Sequence, residues 1–195
     1  GVHPLIAFAM ILTIGTLFGT MMGVLIYYFK IPPFIATLSG MFLARGGAYV
    51  LTTDSISIRH PFYSEVSRLK YIFPDGGRFT FAAGAFVAVV LLGIFLAHYT
   101  RFGRNVYAMG GNETGALLLG VPMGRTTISI YALSSFLATF GGIVLSLSKR
   151  SGDSTIAVGA ELDVIAAVVI GGTLLTGGVG YVIGTFIGVL LPAVI

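Results

Sequence analysis

The sequence predicts an all-α, polytopic integral membrane protein, and three observations carry that prediction. Hydrophobic residues make up 56% of the 195 positions and charged residues only 9%, against roughly one-quarter charge in soluble domains. Uncharged runs long enough to cross a bilayer recur along the chain, beginning with Leu5 to Phe29. Glycines recur every four residues inside two of these runs, the spacing that lets membrane helices approach closely.

The same composition excludes several functions. The chain has no cysteine, so disulfides and thiolate metal sites are ruled out, and its histidines, His3, His60 and His98, have no metal-ligand spacing. His98, beside Tyr99 and Arg101, reads as an interfacial residue. The net charge of +4 and pI near 9.5 come from dispersed basic residues that form no stripe, so no nucleic-acid partner is expected. Gly1 follows no initiator Met and Ile195 ends an uncharged stretch; both read as cuts in one longer transmembrane domain, truncated at both ends, so the spans counted here are a minimum.

Taken in order, Leu5 to Phe29 would reach about 37 Å as a helix, enough for a hydrocarbon core of about 30 Å. Tyr27, Tyr28, Phe29 and Lys30 give it an aromatic and basic border. Pro32 and Pro33 suit the start of a second span, Phe34 to about Leu51, with Arg45 inside it. Thr52 to Arg78 is the longest polar stretch, with a short helix expected around Phe62 to Ile72 and a turn at Pro74-Asp75-Gly76-Gly77. Phe79 to Tyr99 makes a third span, Arg101 to Arg125 a second polar connection, and Thr127 to Ser148 a fourth span.

After the polar break Lys149 to Asp163, the run from Val164 to Ile195 would measure about 48 Å as one helix, too long for a bilayer. It must be interrupted, and Gly171-Gly172 and Gly177-Gly178-Val179-Gly180 mark the place, leaving a short or re-entrant piece and a last span. The 195 residues as a whole then hold about five or six membrane segments. Gly15, Gly19 and Gly23 on the first span, and Gly180, Gly184 and Gly188 on the last, form the two ladders; tight helix packing is preferred to pore lining for both.

Charge does not fix orientation. Were Lys30 cytoplasmic, Arg101, Arg104 and Arg125 would join it, while Arg59, Arg68, Lys70, Arg78, Lys149 and Arg150 would lie on the other side, against the positive-inside rule.

Catalytic signatures are missing: there is no GxxxxGK[ST], HExxH or GxSxG string, so the chain offers no recognised loop for ATP. Gly152-Asp153-Ser154-Thr155 has the GxSx look of an intramembrane serine protease, but no histidine follows His98 to act as base, and a turn is the preferred reading. The stretch from Asn112 to Pro122 carries more. Asn112 can cap a helix start, Glu113 suits a first turn, Gly120 can end the helix and Pro122 forbids its continuation. Ala116, Leu117, Leu118 and Leu119 within it are apolar between charged and glycine-rich flanks, so this short helix either lies on the bilayer surface or docks a soluble partner.

Three strings now resemble a known family: PPFIATLSGMFLARGGAYVLT at Pro32 to Thr52, RFGRNVYAMGGNETGALLLGVP at Arg101 to Pro122, and GAELDVIAAVVIGGTLLTGGVGYVIGTFIGVLL at Gly159 to Leu191. They are similar to the membrane permeases of bacterial ATP-binding-cassette importers for ribose, galactose and related sugars. The stretch from Asp54 through GGRF to FLAHYTRFG looks most like the galactofuranose permeases. The resemblance implies an all-helical, multi-pass permease of about ten spans in the bacterial inner membrane, which conducts a monosaccharide while other subunits do the chemistry. Its implied partners are two ABC ATPase subunits, a second permease subunit, a periplasmic sugar-binding protein and the lipid bilayer. No cofactor is implied in this chain; ATP-Mg belongs to the ATPase. Residues 53–78 would be extracytoplasmic and 101–125 the cytoplasmic coupling loop, with Gly110, Gly111, Asn112, Glu113 and Gly120 carried over. Gly115 and Leu117 depart from the family's more usual alanine, which weakens the expected helix there.

An ion-gradient-driven secondary transporter or channel is the alternative, and it would want an intramembrane acid. Glu161 and Asp163 sit at a segment edge, and no acid lies mid-span. Candidate groups for a hydroxyl-rich ligand along the pathway are Thr37, Ser39, Arg45, Thr173, Thr176 and Tyr181.

Overall fold

The computed structural model describes residues 3–58, 60–68, 70–72 and 78–194. In chain order these form α1 (Pro4–Tyr28), α2 (Pro33–Leu51), β1 (Ile56–Ser57), α3 (Pro61–Arg68), β2 (Lys70–Ile72), β3 (Arg78–Thr80), α4 (Phe81–Ile94) continued by a π-helical turn (Phe95–Tyr99), α5 (Arg101–Gly111), α6 (Glu113–Leu118), α7 (Met123–Lys149), β4 (Ser151–Gly152), α8 (Ala160–Ile170) and α9 (Val182–Val194). Among the described residues four helices are long and apolar enough to cross a membrane: Pro4–Tyr28, Pro33–Leu51, Phe81–Tyr99 and Met123–Lys149. Their large apolar side chains, such as Ile14, Leu17, Leu43 and Leu91, are exposed, as expected where lipid rather than water is the solvent. The fold is therefore the all-α membrane class that the composition predicts. The chain divides into two compact units, residues 1–85 with 127–155, and residues 86–126 with 156–195.

In the first unit α1 starts where His3 Nδ1 accepts from the Leu5 N–H at 3.4 Å and Pro4 takes a position that needs no amide proton. Its glycine ladder lies on α7. A β-carbon at Gly15 would fall on the Thr139 hydroxyl, one at Gly19 on Ser135 and the Tyr131 carbonyl, and one at Gly23 within 2.8 Å of Ile128 Cα. Partner numbers fall as the glycine numbers rise, so the helices run antiparallel, small residue against small residue. Gly40 of α2 packs on Met22 of α1, with Met22 Sδ 3.1 Å from where a β-carbon would sit.

At one end of this unit the polar connections meet. Strand β1 pairs antiparallel with β4, Ile56 opposite Gly152 and Ser57 opposite Ser151, and the Ile58 N–H donates to the Arg150 carbonyl at 2.8 Å. Tyr63 of α3 packs with Ile143 and Leu147 of α7, flanked by Phe8, Leu12, Ile58, Phe62 and Val66. The segments that follow α2 and α7 therefore lie at the same end as the start of α1, where the His3 ring meets His60 edge-on at 6.2 Å.

One local expectation is corrected here. The helix expected around Phe62 to Ile72 runs instead from Pro61 to Arg68, because Lys70, Tyr71 and Ile72 pair with Thr80, Phe79 and Arg78; aromatic and β-branched residues suit that ladder. The expected Pro74-Asp75-Gly76-Gly77 turn lies outside the described residues. Helix α2 runs through Gly46 and Gly47 to Leu51, where the Thr52 N–H donates to Ala48 at 3.1 Å.

In the second unit the last apolar run is divided as expected. Helix α8 stops at Ile170 and α9 starts at Val182, with Gly172, Gly177 and Gly178 at positive φ between them, a conformation that glycine adopts without steric cost. Gly184 meets the Gly171 carbonyl and Gly188 the Ala167 carbonyl, again with opposed numbering. Helices α8 and α9 are thus an antiparallel hairpin, and each, at roughly 16 to 20 Å, is shorter than a bilayer core. The break is kept satisfied by its own bonds: the Leu174 N–H donates to Val179 at 3.0 Å and the Gly177 N–H to Leu174 at 3.0 Å.

Candidate functional site

The site is built in the second unit around the junction of α4, α5 and α6. At its end α4 widens into the π-helical turn Phe95–Tyr99, a form frequent where a helix is bent for function. Thr100 then terminates one helix and starts another: its hydroxyl donates to the Leu96 carbonyl at 2.6 Å and accepts from the Gly103 N–H at 3.2 Å. Only glycine fits at 103, because a β-carbon there would strike the Ala97 and Leu96 carbonyls.

The polar connection 101–125 is more helical than its composition indicated. Helix α5 is amphipathic, with Phe102, Val106 and Tyr107 partly buried and Arg101 and Arg104 exposed. The Tyr107 ring stacks on His98 at 6.2 Å and 19°, and its hydroxyl donates to the Gly180 carbonyl at 2.7 Å. One turn on, Gly110 and Gly111 lie directly against the break: a β-carbon at Gly110 would sit 2.6 Å from Gly178 N, and one at Gly178 would sit 2.9 Å from Gly111 Cα. Sequence reasoning named both glycines but missed Tyr107, whose signal was a single hydroxyl-bearing aromatic on the apolar face of a short helix.

Asn112 belongs to both α5 and α6. Its N–H donates to Ala108 at 3.1 Å, while its side-chain oxygen accepts from the Gly115 N–H at 2.9 Å, the N-cap expected. Glu113 stands in the first turn of α6. At the other end the Val121 N–H donates to Ala116 at 3.1 Å and the Gly120 N–H to Leu117 at 3.0 Å, with Gly120 at φ 77°. That is a Schellman closure, which glycine at this position permits. Gly115, one of the departures from the family, leaves room for the cap, since a β-carbon there would lie 3.2 Å from Asn112 Cγ. Ala116 faces inward at 2% exposure, while Leu117, Leu118 and Leu119 are 61%, 84% and 83% exposed.

A cavity of about 400 Å³ lies between α5, the break and α9; Tyr107, Gly110, Thr173, Gly178, Tyr181 and Thr185 are among the residues lining it. It brings together two of the candidate pathway residues, Thr173 and Tyr181, while Thr176 is exposed within the break. Thr37, Ser39 and Arg45 belong to the other unit. The Thr37 hydroxyl donates to the Pro33 carbonyl at 2.9 Å, Ser39 is exposed and Arg45 is half-buried on α2. The Gly152 to Thr155 string is a turn: Asp153 Oδ1 accepts from the Thr155 N–H at 2.8 Å and its hydroxyl at 2.6 Å.

The family described as "Branched-chain amino acid transport system / permease component" matches residues 1–195. The chain belongs to that family. It is 52% identical over 195 residues to the inner membrane ABC transporter permease protein YjfF of Escherichia coli, and that match covers all of this chain and 59% of YjfF. It is also 41% identical to the fructose import permease protein FruG of Bifidobacterium longum, over all of this chain and 59% of FruG. The ribose import permease protein RbsC of Escherichia coli is 36% identical, over 97% of this chain and 59% of RbsC. The chain thus spans less than two thirds of these relatives' length. No solved structure matches it.

Proposed function

We propose that this chain is the greater part of the permease subunit of an ATP-binding-cassette sugar importer, with α6 as the helix that docks on the ATPase. The observation that carries this is α6 itself, which is capped at both ends and holds Leu117, Leu118 and Leu119 outward. Burying one leucine fully is worth about 1.5 to 3 kcal/mol, so such a face favours a protein groove. Membership of a permease family and the sugar permeases among its relatives support the import reading over ion-gradient transport.

In this reading the chain moves sugar and hydrolyses nothing; ATP and Mg²⁺ are held by the ATPase subunits. A second permease subunit completes the pathway, and a periplasmic sugar-binding protein delivers the ligand. The protein sits in the bacterial inner membrane with 101–125 cytoplasmic and 53–78 outside. Galactofuranose is the finer substrate proposal, resting on the likeness of Asp54 through FLAHYTRFG to permeases for that sugar. Thr173 and Tyr181 are the pathway groups best supported, because they share one cavity.

The test uses the full-length protein with its neighbours. Leu118→Glu is expected to leave membrane levels normal while ATPase copurification and sugar uptake both fall. Retained copurification with retained uptake would leave α6 as an ordinary surface helix.

A further inference from the structure

We infer that Tyr107 is a coupling residue: its hydrogen bond to Gly180 latches α5 onto the glycine break, so that movement of α6 opens the cavity beneath. This rests on α6 being the docking helix. Three observations lead to it. First, α5 has a hinge at its start, where the π-helical turn and Thr100 join it to α4. Second, α5 and α6 share one capping residue, Asn112, so α6 cannot shift without either drawing the end of α5 with it or losing a cap. Third, that end touches the break through the Tyr107 hydroxyl on the Gly180 carbonyl at 2.7 Å and the bare backbones of Gly110 and Gly111 on Gly177 and Gly178.

Such a contact is suited to opening and closing. Glycine backbones can part and meet again without side-chain repacking, and the short loop they touch already uses positive φ at Gly177 and Gly178. Behind it lies the cavity of about 400 Å³ with the Thr173, Tyr181 and Thr185 side chains among its lining, within the span of about 300 to 1,000 Å³ that holds small ligands. Among the described residues the Tyr107 hydroxyl supplies the side-chain hydrogen bond across this contact. Its net worth corresponds to a change of about twofold to tenfold in the ratio of latched to open forms. Tyr107 is therefore a positioning residue, and removing its hydroxyl uncouples hydrolysis from transport rather than preventing assembly.

The full-length permease, with ATPase subunits and sugar-binding protein in lipid nanodiscs and proteoliposomes, provides the test. Thr173→Cys, in a background without other cysteines, reports opening through its rate of reaction with a membrane-impermeant maleimide. With Tyr107 present the resting rate is expected to be slow and to rise when the ATPase is trapped with ATP and vanadate. Tyr107→Phe keeps the ring on His98; it is expected to raise the resting rate about twofold to tenfold and to lower sugar moved per ATP while ATPase copurification is unchanged. Equal resting rates and equal sugar-to-ATP ratios with and without the hydroxyl would overturn the latch. Should Tyr107→Phe fail to assemble, the reporter alone decides: acceleration on trapping supports the latch, and an unchanged rate overturns it. An inert Tyr107→Phe beside a Leu118→Glu that loses the ATPase removes the latch alone; a Leu118→Glu that keeps the ATPase removes the docking reading.

Discussion

At the scale of single residues, the glycines separate into those that are packed and those that are not. Gly184 lies on the Gly171 carbonyl, so Gly184→Leu is expected to cost about 1 to 3 kcal/mol or to block assembly, seen as lower yield and a lower melting temperature in nanodiscs. Gly46 and Gly47 face open space, and alanine at either should be neutral or stabilise by about 0.5 to 1 kcal/mol in the same assay. A melting temperature that responded in the opposite order would contradict the packing described. The ladder on α1 was legible in the sequence because spacing alone puts Gly15, Gly19 and Gly23 on one face; of the second ladder only Gly184 and Gly188 pack helix on helix, since Gly180 lies before α9 in the break, beside Thr173. What Gly46-Gly47 would do was not legible: two glycines cost a helix only about 1 kcal/mol each, whereas unsatisfied backbone in hydrocarbon costs several. Arg45 remains a basic group midway along α2, half-buried, where insertion scales assign about 2.5 to 3.5 kcal/mol. Arg45→Leu is expected to disturb assembly or uptake, and wild-type expression with wild-type uptake would remove its structural role.

At the scale of elements, α6 was readable end to end because its signals are local. Asn112 and Gly120 are the residue types that caps demand, and the structure uses both as expected. Asn112→Ala should destabilise the junction by about 0.5 to 2 kcal/mol and weaken ATPase affinity measured by titration, with insertion unaffected. An affinity equal to wild type would mean that α6 is ordered by its partner and not by its caps. Helix α5 was hidden for a physical reason: it is short, amphipathic and glycine-containing, and its order comes from Tyr107 on Gly180 and from Gly110 on Gly178, about 70 residues distant in sequence. The strand at Lys70 was hidden likewise, since its partner Thr80 lies ten positions on and a three-residue strand has no period of its own to read.

For the whole molecule, composition and uncharged runs were sufficient for the membrane class, because only closed hydrogen bonding within helices or barrels survives in lipid. The pairing of Ile56 with Gly152 was beyond sequence reasoning, as no periodicity links residues so far apart. It places the connections after α2 and α7 at one end of the first unit, which charge counting could not do. In the proposed orientation single cysteines at Ser57 and Thr114 label from opposite faces of the membrane in the full-length protein, Ser57→Cys from outside and Thr114→Cys from the cytoplasm; labelling from one common face would contradict that orientation. The central claim is that the exposed leucines of α6 meet the ATPase, and a photo-crosslinking amino acid in place of Leu118 within the assembled transporter tests it most directly. A covalent adduct with the ATPase subunit is expected, whereas adducts with lipid alone would contradict docking by α6.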